Sequence, residues 1–189
     1  MRTAAEVRDL LKKLKQRAAD EYHATCGHRW RLNPRATEAE VAAFEKQWRI
    51  RLPSEYREFL LTLGNGGAGP GFGIDPLGTM QEQAIGRDVL RALKVEFDAD
   101  LAEEWDEVTE PESWDARKDV MAGAMPIATL GCGDWFRLVI SGPHAGEIWF
   151  DNRGGDGMPP DPVVDDEGEL TFRSWYEAWL DECEARWLK

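Results

Sequence analysis

The spacing of apolar residues changes along this chain, and that change constrains the fold more than any other feature. Val7, Leu10 and Leu14 recur at the period of one helix face. Further on, the runs MPIATL, WFRLVISG and EIWFD are rich in β-branched and aromatic residues, which is typical of strands. The SGPHAG turn joins the last two runs and predicts an antiparallel hairpin of residues 135–140 and 147–151. We therefore predict an α+β fold in which helices pack against a mixed, largely antiparallel sheet.

Capping and stop signals place further helices. The sequence TEAE at residues 37–40 is a capping box, and an apolar helical stripe follows it. The helix predicted over SEYREFLLTL should end at Gly64, with that glycine in the left-handed conformation. A last helix has an apolar side broad enough to predict that both Trp175 and Trp179 are buried.

Length and cysteine content indicate how the chain is organised. The 189 residues are enough for one domain, and we predict a single domain in which residues 1–30 form an N-terminal helical extension. Cys26, Cys132 and Cys183 are widely spaced and odd in number, so a disulfide framework is not expected. The sequence shows neither a signal peptide nor an apolar run of membrane-spanning length. We therefore expect a cytoplasmic protein, and we favour a monomer.

Acidic residues dominate the charge of the chain. There are 36 Asp and Glu against 23 Lys and Arg, a formal net charge of −13. Phosphate backbones and anionic lipid surfaces would be repelled on average, so neither nucleic acid nor a membrane is expected as a partner. Residues 95–119 carry eleven carboxylates and two basic side chains, which we interpret as a solvated face or a loop. A cationic protein is the partner that this charge favours.

The sequence contains no recognisable catalytic constellation. The glycines of residues 64–73 match G-x-G-x-x-G spacing, but a helix precedes them where a phosphate cradle needs a strand. His23, Cys26 and His28 have no fourth ligand at motif spacing, and the loop of residues 151–156 resembles a calcium loop only superficially. We predict no metal and no cofactor.

Two observations keep an enzymatic or sugar-binding alternative open. With 36 acids, the sequence does not exclude a pair of carboxylates that performs hydrolysis. In addition, Trp30, Trp114, Trp135 and Trp149 lie off the clearest core stripes and are candidates for stacking a ligand. The alternative reading is therefore a small carboxylate-based hydrolase or a sugar-binding enzyme.

Three segments of the chain resemble one known family. The run RLPSEYREFLLTLGNGGAGPGFGIDPL at residues 51–77 looks like the signature of the Smi/Knr family within the SUKH superfamily. Residues 131–157 and 171–182 resemble the second half of the same family in order and spacing. The resemblance implies a SUKH-like α+β fold. It also implies a role in protein binding without chemistry, either as a bacterial immunity protein or as a regulator of cell-wall assembly.

These observations together predict a binding module. The leading hypothesis is an immunity protein that binds and neutralises a basic toxin domain such as a nuclease. A regulatory scaffold unrelated to toxins is a further alternative. Because strand ends hold carboxylates at fixed separations, we expect the partner to dock on the surface beside the hairpin. The residues expected to form this partner-binding surface are Asp134, Trp135, Glu147, Asp151, Asn152 and Asp156. Replacing Asp151 and Asp156 by Lys should then leave the melting temperature nearly unchanged.

Overall fold

A computed structural model describes residues 2–18, 27–79, 84–105 and 119–189, with no account of the side chains of residues 84–85. In this part of the chain, helices precede a sheet and one long helix closes the fold, which confirms the α+β class. The helices are α1 (Ala4–Arg17), α2 (Glu38–Trp48), α3 (Ser54–Thr62), α4 (Ala84–Ala92), α5 (Ala99–Glu103) and α6 (Phe172–Trp187). Among the described residues, no helix is both long and apolar enough to cross a membrane.

The main sheet has four antiparallel strands in the order β1-β2-β3-β4. Its strands are β1 (Ala124–Gly131), β2 (Asp134–Val139), β3 (Ile148–Asp151) and β4 (Asp161–Pro162). A second, two-stranded sheet pairs β5 (Val164–Asp165) with β6 (Gly168–Glu169). The predicted hairpin is β2–β3, in which Trp135 pairs with Asp151 and Leu138 pairs with Ile148.

The first helix contributes its apolar face to the main core. Thr3 accepts a hydrogen bond from the Glu6 backbone N–H, and the Glu6 carboxylate accepts one from the Thr3 backbone N–H. This capping box satisfies amide groups that the first turn of a helix leaves unpaired. The predicted apolar stripe of α1 is buried in the main core cluster, and α1 packs against α6. The division into one domain with an N-terminal extension stays a prediction.

The α2–α3 corner depends on one buried carboxylate. The predicted capping box of α2 is present, with Thr37 and Glu40 exchanging hydrogen bonds. The helix ends at Arg49, which has a left-handed backbone, and the Glu45 carboxylate then accepts a hydrogen bond of 2.9 Å from the Leu52 N–H. Glu45 is buried because this bond and the nearby Arg57 guanidinium replace its contact with water.

The helix α3 ends close to Gly64, but the prediction that this glycine adopts the left-handed conformation is wrong. Leu63 caps α3 with a right-handed backbone, and the positive φ angles come later, at Gly66 and Gly67. Glycine is required at position 64 for a different reason, because a Cβ there would lie 2.8 Å from the Asn33 carbonyl oxygen. The glycine-rich segment is therefore a tight turn where two stretches of chain approach closely.

Of the two tryptophans of the last helix that are predicted to be buried, one is buried and the other is half-buried. Trp175 is 4% exposed and lies 5.1 Å from the Phe136 ring of β2, so its predicted burial is confirmed. Trp179 is only partly buried and stacks on Trp30 at the edge of the core. The prediction for Trp179 was too strong because the apolar side of α6 is wider than the surface that the core covers.

Candidate protein-binding site

Five of the six predicted site residues lie at one end of the β2–β3 hairpin. Asp134 and Trp135 begin β2, and Trp135 pairs with the last residue of β3, Asp151. Antiparallel register therefore places Asn152 beside Asp134, and the following loop carries Asp156. We call this region, residues 134–135 and 152–158, the open end of the hairpin.

The loop at the open end is held by its own backbone. The Asn152 carbonyl oxygen accepts hydrogen bonds from the N–H groups of Gly155, Asp156 and Gly157, at 3.1, 3.0 and 3.3 Å. A Cβ on Gly155 would lie 2.2 Å from Asp134 Oδ1, so a side chain at position 155 would require the Asp134 carboxylate to move. Asp156 is exposed in this loop, whereas Asp134 and Asn152 are half-buried. The loop presents one exposed carboxylate from a restrained backbone.

Asp151 lies in the interior. It is 3% exposed, and its Oδ2 is 2.7 Å from Arg137 Nε, an ion pair in which the N–H is not aligned with the oxygen. Its Oδ1 accepts a hydrogen bond of 2.8 Å from Arg153 Nε. This burial corrects the expectation that Asp151 is exposed at the end of its strand. A variant with lysine at position 151 would place a third cation between two arginines, so an unchanged melting temperature is no longer expected.

The two arginines set the protonation state of Asp151. Burial by itself disfavours the charged carboxylate, but the hydrogen bonds from Arg153 and the charges of Arg137 and Arg153 outweigh it. The pKa of Asp151 therefore lies below its usual value. At neutral pH the Asp151 carboxylate is therefore ionised, and each of its oxygens contacts an arginine inside the protein.

Arg153 joins the open end to the acidic stretch of residues 95–119. Its Nη1 lies 3.0 Å from Asp119 Oδ1, and its guanidinium carbon lies 5.8 Å from the centre of the Trp105 ring. Asp119 and Trp105 directly flank residues 106–118, which lie outside the described residues. The hairpin and the acidic stretch are far apart in the sequence, but Trp105 and Asp119 of that stretch both contact Arg153.

Arg137 and Arg153 are the residues that sequence analysis missed. Arg137 had a usable signal, because a cation within the apolar run FRLVI is buried only when a carboxylate pairs with it. Arg153 had no comparable signal, since a loop arginine is ordinarily exposed. Together with Asp119 and Asp151 they form a group of two cations and two anions, which we call the buried charge network.

Glu147 lies at the other end of the hairpin. The six residues of β2 separate it from the open end by roughly 17 Å at about 3.4 Å per residue. Its carboxylate lies 3.0 Å from His144 Nδ1 and accepts a hydrogen bond of 3.3 Å from Trp149 Nε1. The structure thus divides the predicted surface, and Glu147 does not share a patch with Asp156.

The candidate stacking tryptophans are mostly unavailable. Trp30 and Trp149 are buried, and Trp114 lies outside the described residues. Trp135 is half-buried at the open end and remains the candidate with accessible area.

For metals, the described part of the chain holds no group of three or more His, Cys, Asp or Glu side chains with ligating geometry. His23 and Cys26 are outside that part, and His28 packs against Trp30.

The fold and the site define an α+β protein in which a loop at the end of an antiparallel hairpin exposes one carboxylate. A family model described as the SMI1 / KNR4 family (SUKH-1) matches residues 35–177, about three quarters of the chain. The chain belongs to this family, which confirms the resemblance of its three segments. Comparisons with curated proteins and with solved structures found no match.

Proposed function

We propose that this member of the SMI1/KNR4 family is a cytoplasmic, monomeric binding module that neutralises a basic toxin domain without performing chemistry. The observation that carries the proposal is the restrained open end of the hairpin. There, a buried charge network and three backbone hydrogen bonds hold a loop that exposes Asp156. Family membership and the formal charge of −13 support the same role.

Charge complementarity gives the proposed partner its chemistry. A nuclease domain needs a basic surface to hold phosphates, and an acidic inhibitor can cover that surface. Attraction between opposite net charges also speeds association and makes it sensitive to salt. A toxin must be intercepted quickly in the cell that makes it, so a fast electrostatic encounter suits an immunity protein.

Restraint of the loop gives the open end its advantage as a docking surface. Ordering a mobile segment on binding costs conformational entropy, which lowers affinity. The loop of residues 152–158 is already held, because the Asn152 carbonyl accepts three N–H groups and the adjacent Arg153 is anchored to Asp151 and Asp119. Asp156 therefore contributes its charge with a smaller entropic loss than a mobile carboxylate would.

Neutralisation is the direct test of this function. The genes that neighbour its coding sequence are searched for a toxin domain, the chain is co-expressed with that domain, and growth and complex formation are measured. We expect rescue and a complex, with association slowed by Asp156→Lys and Trp135→Ala. The matched control is Glu182→Lys, which makes the same charge change at an exposed position of α6. Failure of the unmodified chain to bind or rescue would reject the immunity role.

A turnover screen separates binding from catalysis. The purified chain is incubated with generic ester, phosphodiester and glycoside substrates, and we expect no product above the buffer rate. Activity that survives repurification and disappears with a single carboxylate-to-amide change would instead establish the hydrolase alternative.

A further inference from the structure

An apolar groove with a charged rim lies between the start of α1, α3 and the start of α6. It consists of two adjoining cavities of about 610 and about 320 Å³. The cavities share Arg2, Glu55, Arg173 and Glu177 in their walls. Thr171 also lines the larger cavity and pairs with Glu147, so the groove lies toward the end of the hairpin opposite Asp156.

The smaller cavity has an apolar floor. Its apolar lining residues are Ala4, Val7, Phe59, Leu63, Phe172 and Tyr176. Phe59 and Tyr176 are held by edge-to-face contact at 5.2 Å, and the Tyr176 hydroxyl donates to the Ala68 carbonyl oxygen. These side chains are fixed from beneath, so the floor does not need to rearrange. A cavity of this size accommodates one large apolar side chain.

The larger cavity has more carboxylates than cations in its wall. Its carboxylates are Glu6, Glu55, Asp165, Glu177 and Asp181, against the guanidinium groups of Arg2 and Arg173. Arg2 already contacts three carboxylates of α6, at 2.8 Å from Glu177, 2.6 Å from Asp181 and 2.8 Å from Glu184. One cation shared by three anions leaves negative charge uncompensated at the rim.

We propose that this groove binds a basic segment of the partner protein, in which one large apolar side chain is flanked by arginines or lysines. This inference rests on the proposed function and assigns the partner a second contact, separate from the open end of the hairpin. The apolar side chain enters the smaller cavity, and the flanking cations meet the carboxylates of the larger one. Arginine suits this rim because its planar fork donates to a carboxylate through two parallel bonds.

Charge decides between this occupant and a second copy of the chain. Two copies, each with a formal charge of −13, would bring like charges together across the rim. A basic segment instead neutralises the uncompensated carboxylates, while its apolar side chain buries surface in the floor. The groove therefore favours a cationic partner over self-association.

A peptide with a single anchor is the first probe. A labelled Arg-Arg-Leu-Arg-Arg peptide is titrated with the full chain and followed by fluorescence anisotropy. Peptides with Gly in place of Leu, or with Glu in place of every Arg, test the anchor and the charge. We expect saturable binding of the Arg/Leu peptide, about tenfold or more weaker binding of the Gly peptide, and none of the Glu peptide. Equal binding of the Gly peptide, or no binding of the Arg/Leu peptide, overturns the proposal.

Paired variants then locate the contact. Glu58→Lys with Asp181→Lys reverses two rim charges whose side chains are 59% and 68% exposed. The control, Glu103→Lys with Glu182→Lys, makes the same change in net charge at exposed positions that line neither cavity. We expect affinity to fall about tenfold or more in the rim variant and less than threefold in the control. Equal losses in both would show attraction by net charge alone and reject the site.

A second pair of variants tests the apolar floor without changing any charge. Ala4→Leu adds volume inside the smaller cavity, whereas Ala5→Leu adds the same volume at the neighbouring exposed position. We expect only Ala4→Leu to weaken the Arg/Leu peptide, with thermal melting of both variants monitored as the control for folding. Binding that is unaffected by Ala4→Leu in a folded variant, or sedimentation showing dimers that the rim variant abolishes, contradicts a partner segment in this groove.

The cognate toxin domain separates this inference from the proposed function. If the unmodified chain neutralises the toxin and the rim variant does so equally well, the groove proposal fails and the immunity role stands. If the unmodified chain does not neutralise any toxin domain but still binds the Arg/Leu peptide through the groove, the immunity role fails and the groove remains a site for basic segments.

Discussion

The two ends of the β2–β3 hairpin use their charged groups differently. In the buried charge network beside the open end, Arg137 and Arg153 are matched by Asp119 and Asp151, and the four side chains are 5–14% exposed. At the groove, Arg2 is shared by three carboxylates of α6, one of them 68% exposed. Buried and balanced charges hold the loop in place, whereas exposed and unbalanced ones remain able to meet a partner. Proximity of a carboxylate to a strand end therefore does not establish that it is available for binding.

The largest expected effect comes from placing a cation inside the buried charge network. Asp151→Lys leaves Arg137 and Arg153 without their shared anion, so we expect a loss of about 3–5 kcal/mol in the free energy of unfolding. Asp156→Lys at the exposed loop position should change it by about 0.5 kcal/mol or less. Urea denaturation of the two variants measures both values. Equal stabilities would show that the network does not hold the open end.

The next prediction concerns α6, which borders the groove and packs against the hairpin. Trp175→Ala should cost about 3–5 kcal/mol, because the ring is buried against Phe136 and leaves a cavity when it is removed. Trp179→Ala should cost roughly half as much, since its ring is only partly buried and loses less apolar contact. Thermal and urea unfolding of the two variants gives the comparison. A larger cost for Trp179 would reverse the assignment of the buried side of α6.

Removing the shared cation of the groove should have a smaller effect. Arg2→Met is expected to cost about 1 kcal/mol, because its partners are partly exposed and water replaces much of the lost attraction. The difference from the unmodified chain should shrink as salt is raised from 0.05 to about 0.5 M, since salt screens exposed pairs. Arg137→Met, the matched change in the buried network, should keep its full cost in salt. If the stability lost in Arg2→Met does not change with salt, the Arg2 ion pairs are as well shielded from solvent as those of the buried charge network.

The last comparison is the titration of one carboxyl group in each region, Glu6 at the groove and Asp151 in the buried charge network. It is expected to change stability least at neutral pH. The pKa of Glu6 at the groove is lowered chiefly by the hydrogen bond from the Thr3 backbone, and that of Asp151 is lowered by its arginines against the effect of burial. A lowered folded-state pKa contributes stability above the ordinary carboxyl pKa of about 4, and that stability is lost as pH falls through the folded-state value.

Acid titration followed by NMR should therefore separate the two carboxylates. Glu6 is expected to titrate while the chain stays folded, because its side chain is exposed. Protonation of Asp151 should coincide with disruption of the open end, and Asp151→Asn should weaken the dependence of stability on pH below about 4. An Asp151 signal that titrates freely in a native spectrum would contradict its role in holding the loop.

Local patterns accounted for most of the secondary structure. The capping boxes at Thr3 and Thr37, the helix start at Asp98 and the β2–β3 hairpin all depend on residues close together in the chain. Thr37 and Glu40 form the capping box that the sequence TEAE predicts. Such elements are predictable because the donor and acceptor lie within one turn of chain.

The sequence by itself determined the α+β class, the β2–β3 hairpin and the family, because helical periodicity, turn residues and a long family motif can each be recognised in the sequence without the tertiary structure. Only the tertiary structure decided that Asp151 is interior, because Arg137 and Arg153 reach it from a neighbouring strand and a loop. The groove likewise exists only where α1, α3 and α6 meet, with Arg2 contacting Glu177 across 175 positions of sequence. The availability of a charge depends on which partners the fold brings to it, and no local pattern contains that information.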